Sequence, residues 1–272
     1  MNILDAIILG LIQGLTEFLP VSGSGHLALG KAVLGISEHG ILFEVVVHFG
    51  TLLAVFTAFS KEIKWLLNGL FSLVFPGQSD RMLPDSSDES AVRYIAYLLW
   101  STIPIVIIGL FFRSQIEEAF SNPVLAGYFL LVTGVVLLLS RLGLKSTGQV
   151  TLKRSIAIGI VQAFAILPGI SRSGSTISAG MLFGVEREAA ARFSFLMAIP
   201  AIGGAFALQL LDISFNSLPQ SYIIALVVGF VVSYLSGYLA IKFLMAIVKR
   251  GRFDYFAWYC FAVGLTAIYF LS

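Results

Sequence analysis

Most of the chain consists of long apolar stretches separated by short polar segments. Six stretches approach the roughly 20 consecutive apolar residues that a helix needs to cross a bilayer, at 41–60, 93–112, 123–141, 189–211, 220–247 and 253–271. Of the 272 residues, 58% are hydrophobic and only 12% charged, and the mean hydropathy is +0.94, which excludes an ordinary soluble domain. The pattern predicts an all-α integral membrane protein with six transmembrane helices.

Two further stretches, 3–36 and 154–184, are apolar but interrupted. Each contains two short apolar pieces around a polar tip, PVSGSGH in the first and PGISRSGST in the second. Irregular backbone at membrane depth is tolerated only where protein buries it or where it lines a wet cavity. Both stretches are therefore predicted to be re-entrant helical hairpins. Residues 62–75 predict a short in-plane segment, and 76–90 a polar loop.

The two predicted hairpins resemble each other in sequence. At an offset of 149 residues, Gly10, Gln13, Ser22, Ser24 and Gly25 match Gly159, Gln162, Ser171, Ser173 and Gly174. Such self-similarity indicates an internal repeat. Because three spans follow each hairpin, the second copy enters from the opposite face of the membrane. We expect a single membrane domain over 1–272 with an inverted-topology repeat, tips that meet near the midplane, and copies at about 1–112 and 150–272.

The distribution of basic residues predicts the orientation. With the N-terminus outside, fourteen of the 17 lysines and arginines fall in cytoplasmic segments, whereas Lys31 and Arg113 fall outside and Arg172 lies at a hairpin tip. Segments rich in lysine and arginine remain on the cytoplasmic side, so both termini are predicted to be extracytoplasmic. The net charge of +2 is spread along the chain, which excludes the concentrated basic face of a nucleic-acid-binding protein.

Arg172 is the residue of the second tip that most needs a partner. A guanidinium keeps its charge and is costly in hydrocarbon, so an anionic group is expected beside it. Glu17 in a structural salt bridge is one candidate, and a phosphate ligand is the other. The helix after each tip begins with N–H groups that lack intrahelical acceptors and suit an anion, although each serine taken alone also fits helix capping. We predict a phosphate site made of Gln13, Gly25, Ser171, Arg172, Ser173, Gly174 and Thr176.

The first tip adds a carboxylate, an imidazole and two hydroxyls. An ionisable residue at membrane depth marks a functional site unless it pairs structurally. Glu17 is therefore expected to be a base or metal ligand. His26 is expected to be an acid, with capping or core packing as the alternative. Ser22 and Ser24 are candidate nucleophiles, so the two tips together hold the groups that phosphoryl transfer requires.

Two more ionisable residues lie near the start of the first predicted span. Glu44 and His48 lie one helical turn apart in FEVVVHFG. They either flank the predicted site or sit at the membrane interface, and the sequence leaves both interpretations open.

The segments QGLTEFLPVSGSGH (13–26) and LPGISRSGSTIS (167–178) resemble the two signature motifs of the undecaprenyl-diphosphatase family, the bacterial membrane phosphatases also known as bacitracin-resistance proteins. The resemblance extends over the whole chain. It implies hydrolysis of undecaprenyl diphosphate to the monophosphate and inorganic phosphate, which recycles the lipid carrier of cell-wall synthesis. It also implies inverted repeats with two re-entrant hairpins, and an outward-facing site in the bacterial inner membrane. Matching by position assigns to that site Glu17, Ser22, His26, Ser171, Arg172, Ser173 and Thr176.

Two positions depart from the family pattern. Gln13 stands where the family often has glutamate, and Gly23 stands where it has the serine most often proposed as nucleophile. The divalent cation that the resemblance suggests, Mg²⁺ or Ca²⁺, therefore has only Glu17 as a candidate ligand. Without a serine at position 23, either Ser22 or Ser24 attacks phosphorus, or an activated water does.

The predicted architecture also suits a second class of function. Inverted repeats with broken helices around a midplane anion site are typical of secondary transporters, so a transporter or flippase of a phosphorylated lipid or small anion is the alternative. Glu17 and His26 favour the phosphatase, because an anion carrier needs donors but no base. The expected partners are the bilayer and a polyprenyl diphosphate, and the number of copies is left open, a homodimer included.

Overall fold

A computed structural model describes residues 1–34, 41–74, 90–120, 122–211 and 219–271. Within these ranges the chain forms α-helices, two 3₁₀ helices at Ser140–Gly143 and Phe253–Tyr255, and one isolated β-bridge. The α-helices are α1 (Ile3–Phe18), α2 (Gly23–Leu34), α3 (Ile41–Ala58), α4 (Ser60–Val74), α5 (Ala91–Phe111), α6 (Arg113–Phe120), α7 (Pro123–Leu139), α8 (Leu152–Phe164), α9 (Arg172–Leu182), α10 (Arg187–Leu211), α11 (Gln220–Lys249) and α12 (Phe256–Leu271).

Among the described residues, five helical stretches are long and apolar enough to cross a membrane: Ala91–Phe111, Pro123–Gly143, Arg187–Ala207, Gln220–Lys249 and Phe253–Leu271. The sixth predicted span, 41–60, corresponds to α3, which turns by 83° into α4 after a break at Phe59. α4 covers most of the predicted in-plane segment 62–75, and its orientation relative to the membrane stays a prediction. The prediction of an all-α integral membrane protein is confirmed. The predicted loop 76–90 lies, except for Ser90, outside the described residues.

The two interrupted stretches form helix pairs. α1 packs against α2, and α8 packs against α9. Both first helices end shortly before a proline, Pro20 and Pro168, which cannot continue a helix. With 16 residues in α1 and 13 in α8, neither helix reaches the length of a span. The hairpins predicted at 3–36 and 154–184 are therefore present, and residues 35 and 36 lie outside the described ranges.

Each hairpin packs against a span from the other half of the chain. α1 lies against α11, and α8 lies against α5. The repeat-related glycines Gly10 and Gly159 lie at these two crossings. A Cβ at Gly10 would lie 2.9 Å from the carbonyl oxygen of Gly229, and a Cβ at Gly159 would collide with the backbone of Ser101. Glycine at both positions therefore permits the same close approach of helix to helix. The repeat boundaries themselves stay a prediction.

Aromatic packing holds the end of α1, next to the first tip. Phe18, the last residue of α1, is fully buried and stacks edge-on against Phe195 of α10, with ring centroids 5.7 Å apart. Phe59, at the α3–α4 bend, contacts the same ring of Phe195 at 5.5 Å. Because Phe18 is held in this way, the neighbouring Glu17 has a fixed position at the end of α1.

Candidate active site

The two hairpin tips are joined by hydrogen bonds. The backbone N–H of Gly169 donates to Ser22 Oγ at 3.1 Å, and Ser173 Oγ donates to the carbonyl oxygen of Leu19 at 3.3 Å. Each hydroxyl thus belongs to one tip and binds the backbone of the other. The prediction that the tips meet is confirmed.

Repeat-related glycines allow the tips to approach this closely. A Cβ at Gly25 would lie 3.2 Å from Gly169 Cα, and a Cβ at Gly174 would lie 3.2 Å from Pro20 Cβ. Both distances are shorter than ordinary side-chain packing. These two glycines, predicted to bind phosphate, therefore also form the contact surface between the tips.

Ser22 and Ser171 cap the second helices of their hairpins in the same manner. Ser171 Oγ accepts from Gly174 N–H at 3.1 Å, and Ser22 Oγ accepts from Gly25 N–H at 3.3 Å. Ser22 adopts a left-handed backbone conformation with φ of 68°, which is costly for a serine and persists where surrounding contacts hold it. Ser22 Oγ already receives the Gly25 and Gly169 N–H groups, so its hydroxyl has a structural function.

Arg172 and Glu17 form an ion pair between the tips. Nη2 of Arg172 donates to Oε1 of Glu17 at 2.7 Å, and Gln13 Nε2 donates to Oε2 at 2.9 Å. Both members of the pair are largely buried, with side-chain exposures of 16% and 12%. The second terminal nitrogen of Arg172, Nη1, is buried and has no hydrogen-bond partner among the described residues. A buried cationic donor without an acceptor is costly, and a bound anion would satisfy it.

A cavity of about 310 Å³ opens beside this pair. Its polar side chains are grouped around the hairpin tips and the start of α3, and the rest of its wall is mostly apolar. The polar lining consists of Glu17, Ser24, Glu44, His48, Ser171 and Arg172. The apolar wall comes from α5, α6, α10 and the second tip, through Ile105, Phe120, Ala165, Ile166, Ile170, Ala201, Ile202, Ala205 and Phe206. Such a cavity suits a ligand with a charged head and an apolar tail.

His48 faces the Glu17 carboxylate. Its Nε2 lies 3.9 Å from Glu17 Oε2, and its Nδ1 lies 2.7 Å from the backbone carbonyl oxygen of Glu44. A carbonyl oxygen only accepts, so Nδ1 carries the hydrogen and the neutral ring presents the lone pair of Nε2 towards Glu17. Of the two interpretations left open by the sequence, the structure supports the one in which Glu44 and His48 flank the site.

His26 lies away from the cavity. Its Nδ1 is 2.9 Å from the carbonyl oxygen of Ser22, and its Nε2 is 2.8 Å from the hydroxyl of Tyr259 on α12. The two rings also stack, with centroids 5.5 Å apart. Both ring nitrogens are thus engaged outside the cavity lining. His26 as the acid stays a prediction, whereas His48 is the histidine that the structure brings to the carboxylate.

The remaining predicted phosphate ligands lie behind the cavity wall. Thr176 is buried, and its hydroxyl bonds with Ser194 at 2.6 Å and donates to the carbonyl oxygen of Arg172 at 2.8 Å. Gln13 is fully buried and orients Glu17. Of the predicted site residues, the structure therefore brings four side chains to the cavity: Glu17, Ser24, Ser171 and Arg172.

Gly23, where the family pattern has serine, lies directly beside the carboxylate. A Cβ at this position would lie 3.3 Å from Glu17 Oε2. Because glycine has no side chain, this space belongs to the cavity. Ser24 lines the cavity and Ser22 does not. Of the two candidate nucleophiles of the first tip, Ser24 is therefore the one placed to reach a bound phosphate.

Thr133 is a site-forming residue that the sequence analysis did not identify. Its hydroxyl donates to the carbonyl oxygen of Gly169 at 2.9 Å and accepts from the N–H of Ser171 at 2.9 Å. It thereby holds the second tip against α7. The available signal was a threonine beside a glycine within a predicted span that is otherwise mostly apolar.

Among the described residues, few side chains near Glu17 could bind a metal ion. Gln13 Oε1 is buried and has no hydrogen-bond partner among the described residues. Over the same part of the chain, there is no group of three or more His, Cys, Asp or Glu side chains that could hold a metal ion. Mg²⁺ is commonly held by one or two protein ligands and by substrate phosphates. The residues present therefore fit a cation that arrives with a diphosphate better than one held by the protein alone.

A model of the family described as bacitracin resistance protein BacA matches residues 6–266, a range that contains every residue of the site. The chain belongs to this family. It is similar along its whole length to proteins named undecaprenyl-diphosphatase. It is 40% identical to the one from Methanobrevibacter smithii over 97% of this chain and 96% of the relative. It is 42% identical to the one from Methanosphaera stadtmanae over 98% of both chains, and 41% identical to one from Bacteroides fragilis over 97% and 96%. The resemblance seen in the two motifs is confirmed.

Proposed function

We propose that this protein is a membrane phosphatase that hydrolyses undecaprenyl diphosphate to undecaprenyl phosphate and inorganic phosphate, and so recycles the lipid carrier of cell-wall synthesis. The observation that carries the proposal is the buried Arg172 Nη1, which has no acceptor among the described residues and lies beside a carboxylate at a cavity with an apolar wall. The similar proteins from Methanobrevibacter smithii and Methanosphaera stadtmanae are both named undecaprenyl-diphosphatase, which supports the proposal.

Substrate binding uses the donors of the second tip. The terminal phosphate accepts from the Arg172 guanidinium and from the backbone N–H groups of Arg172 and Ser173, which lack intrahelical acceptors at the start of α9, whereas the Gly174 N–H donates to Ser171 Oγ. Ser171 and Ser24, both at the cavity, add hydroxyl donors. The isoprenyl chain lies along the apolar wall formed by α5 and α10. These donors stabilise the charge that spreads over the phosphoryl oxygens in the transition state.

Hydrolysis is carried by the carboxylate and the imidazole. A water oxygen attacks the terminal phosphorus, the bond from that phosphorus to the bridging oxygen breaks, and its electron pair leaves with undecaprenyl phosphate. Glu17 takes the proton of the attacking water, the Nε2 lone pair of His48, 3.9 Å from Glu17 Oε2, accepts that proton from Glu17, and His48 passes it to the leaving oxygen. Attack by Ser24 Oγ, followed by hydrolysis of a phosphoserine, is the other route that the cavity permits.

A divalent cation that enters with the diphosphate would have the Glu17 carboxylate as its protein ligand at the cavity. It would supply charge neutralisation to the phosphate oxygens.

We place the protein in the cytoplasmic membrane with the cavity open to the extracytoplasmic side. The distribution of lysine and arginine supports this orientation. Phe120 of α6 lines the cavity, and α6 carries Arg113, one of the two basic residues predicted to lie outside. The cavity therefore shares a side of the membrane with α6.

Phosphate release by the purified protein in detergent tests the proposal against the transporter alternative. A phosphatase releases inorganic phosphate from undecaprenyl diphosphate without any membrane, whereas a transporter needs two compartments. Phosphate release that is proportional to protein concentration is expected. Its absence, together with lipid or anion movement in vesicles, would favour the transporter.

A further inference from the structure

A second cavity, of about 590 Å³, lies on the other side of the first hairpin. It is bounded by the end of α1, the first tip, the last turns of α11 and the beginning of α12, and it shares no residue with the active-site cavity. Its lining is Leu15, Thr16, Leu19, Val21, Phe243, Ile247, Arg250, Arg252, Tyr255, Phe256 and Tyr259. We call it the α11–α12 groove.

The repeat gives the groove a counterpart. Thr16 and Val21 line the groove, and the residues 149 positions later, Ala165 and Ile170, line the active-site cavity. The groove therefore has the same place against the first hairpin that the active-site cavity has against the second. The two cavities differ in where their charges lie. The active-site cavity has them at the tips, whereas the groove has them at the end of α11.

Two arginines without acidic partners form the charged end of the groove. Arg250 follows the last residue of α11, Arg252 comes two residues later, and both are exposed. Among the described residues neither forms an ion pair. The nearby carboxylate of Asp254 is taken by Arg141, whose Nη2 lies 2.6 Å from Oδ2. This end of the groove thus has uncompensated positive charge, on the side of the membrane predicted to be cytoplasmic.

The rest of the groove is apolar and extends towards the first tip. Leu15, Phe243 and Tyr255 line it and leave 40%, 55% and 58% of their surface exposed. The groove reaches Tyr259, whose hydroxyl bonds with His26 behind the first tip. A basic end at the membrane surface, joined to an apolar wall at membrane depth, matches the shape and charge of a lipid with an anionic head.

We propose that the α11–α12 groove binds one anionic phospholipid of the cytoplasmic leaflet. Its phosphate accepts from Arg250 and Arg252, and an acyl chain packs along Phe243 and Ile247 towards Tyr259. Arginine suits this ligand because its planar fork binds two phosphate oxygens at once. The bound lipid supports the first tip from the side opposite the active-site cavity.

Native mass spectrometry of the intact protein, purified in a neutral detergent and titrated with phosphatidylglycerol or phosphatidylcholine, tests the proposal without any measurement of turnover. One phosphatidylglycerol is expected to bind in preference to phosphatidylcholine. The double variant R250Q/R252Q should bind phosphatidylglycerol roughly 30-fold more weakly, since each basic residue near the surface contributes about a fivefold effect. The matched control K242Q/K249Q removes the same charge from α11 at residues outside the groove lining, and should retain the wild-type affinity.

A second variant keeps the test decisive if R250Q/R252Q does not fold. Ile247→Trp fills the apolar part of the groove with both arginines in place, and it should also abolish phosphatidylglycerol binding. Equal binding of the two lipids would overturn the proposal, as would full binding by either folded variant. Displacement of phosphatidylglycerol by a lower concentration of undecaprenyl phosphate would also overturn it, and would assign the groove to the reaction product.

Discussion

Arg172 and Glu17, 155 residues apart in sequence, form an ion pair in which Nη2 lies 2.7 Å from Oε1. The pair joins the tips of two hairpins, so the charged groups of the site come from both halves of the chain. Removal of one member of a buried pair leaves the other charge uncompensated, at a cost of about 3 to 5 kcal/mol. Informative variants therefore preserve the hydrogen bonds and change only the chemistry.

Glu17→Gln tests the carboxylate as base. The amide retains an oxygen that can accept from Arg172, but it carries no charge to compensate Arg172 and takes no proton from water, so turnover is measured per folded molecule. We expect kcat to fall by about 100-fold or more, in the range usual for loss of a general base. Glu117→Gln, at an exposed carboxylate paired with Arg113 on α6, is the control and should be fully active. Full activity of Glu17→Gln would remove the carboxylate from the reaction.

Ser24→Ala distinguishes attack by water from attack by serine. We expect the variant to retain measurable turnover and to lose about 1.5 to 3 kcal/mol of transition-state stabilisation, the contribution of one hydrogen bond to a charged group. Wild-type enzyme quenched during turnover should then contain no phosphoserine. A phosphoserine mapped to Ser24, with no activity in Ser24→Ala, would establish the covalent route instead.

Ser22→Ala should lower the stability of the fold. The change leaves the buried N–H groups of Gly25 and Gly169 without their acceptor, which costs about 1 to 3 kcal/mol for each unsatisfied group. A lower unfolding temperature is expected, with turnover per folded molecule retained to a measurable extent. Normal stability combined with complete loss of turnover would instead indicate that Ser22 is the nucleophile.

The pH–rate profile should separate the two histidines. His48 lines the cavity together with Glu17, Glu44 and Arg172, so His48→Gln should reduce kcat and remove one ionisation from the profile. His26→Gln should leave the number of ionisations unchanged, because both nitrogens of His26 are bonded outside the cavity. The opposite result, a lost ionisation only in His26→Gln, would support His26 as the acid.

Cysteine labelling in intact cells tests the orientation. Cysteines introduced at Lys31 or Arg113 should react with a membrane-impermeant reagent, and those at Ser87 or Lys145 should not. The native Cys260 is buried and is expected to be unreactive. A reversed pattern would contradict the assignment of the cavity to the extracytoplasmic side.

The sequence was sufficient to predict the hairpins and their meeting point. Each tip combines a proline that ends a helix with serines that cap the next one, and the close contacts need glycine at Gly25 and Gly174. These are local requirements that leave a visible pattern. A salt bridge from Arg172 to Glu17 was one of the two alternatives left open by the sequence, because a guanidinium at membrane depth requires an anion, either a carboxylate or a phosphate.

The direction of individual side chains could not be predicted in the same way. Whether His26 or His48 faces the cavity depends on the rotation of α2 and α3 about their axes, which packing against distant helices determines. His26 is turned towards Tyr259, 233 residues away. Thr133 is likewise recognisable as a support of the second tip only once α7 is placed beside Gly169.

The most direct test of the phosphate site is kcat/KM of Arg172→Lys for undecaprenyl diphosphate, measured beside Arg113→Lys. Lysine retains the positive charge near Glu17 but replaces the two-pronged donor with a single ammonium. We expect a folded protein that loses about 2 to 4 kcal/mol of transition-state stabilisation, or roughly 30- to 1000-fold in rate. Arg113→Lys, at the exposed pair with Glu117, should match the wild type. Near-wild-type turnover in Arg172→Lys would contradict the assignment of Arg172 to the phosphate site.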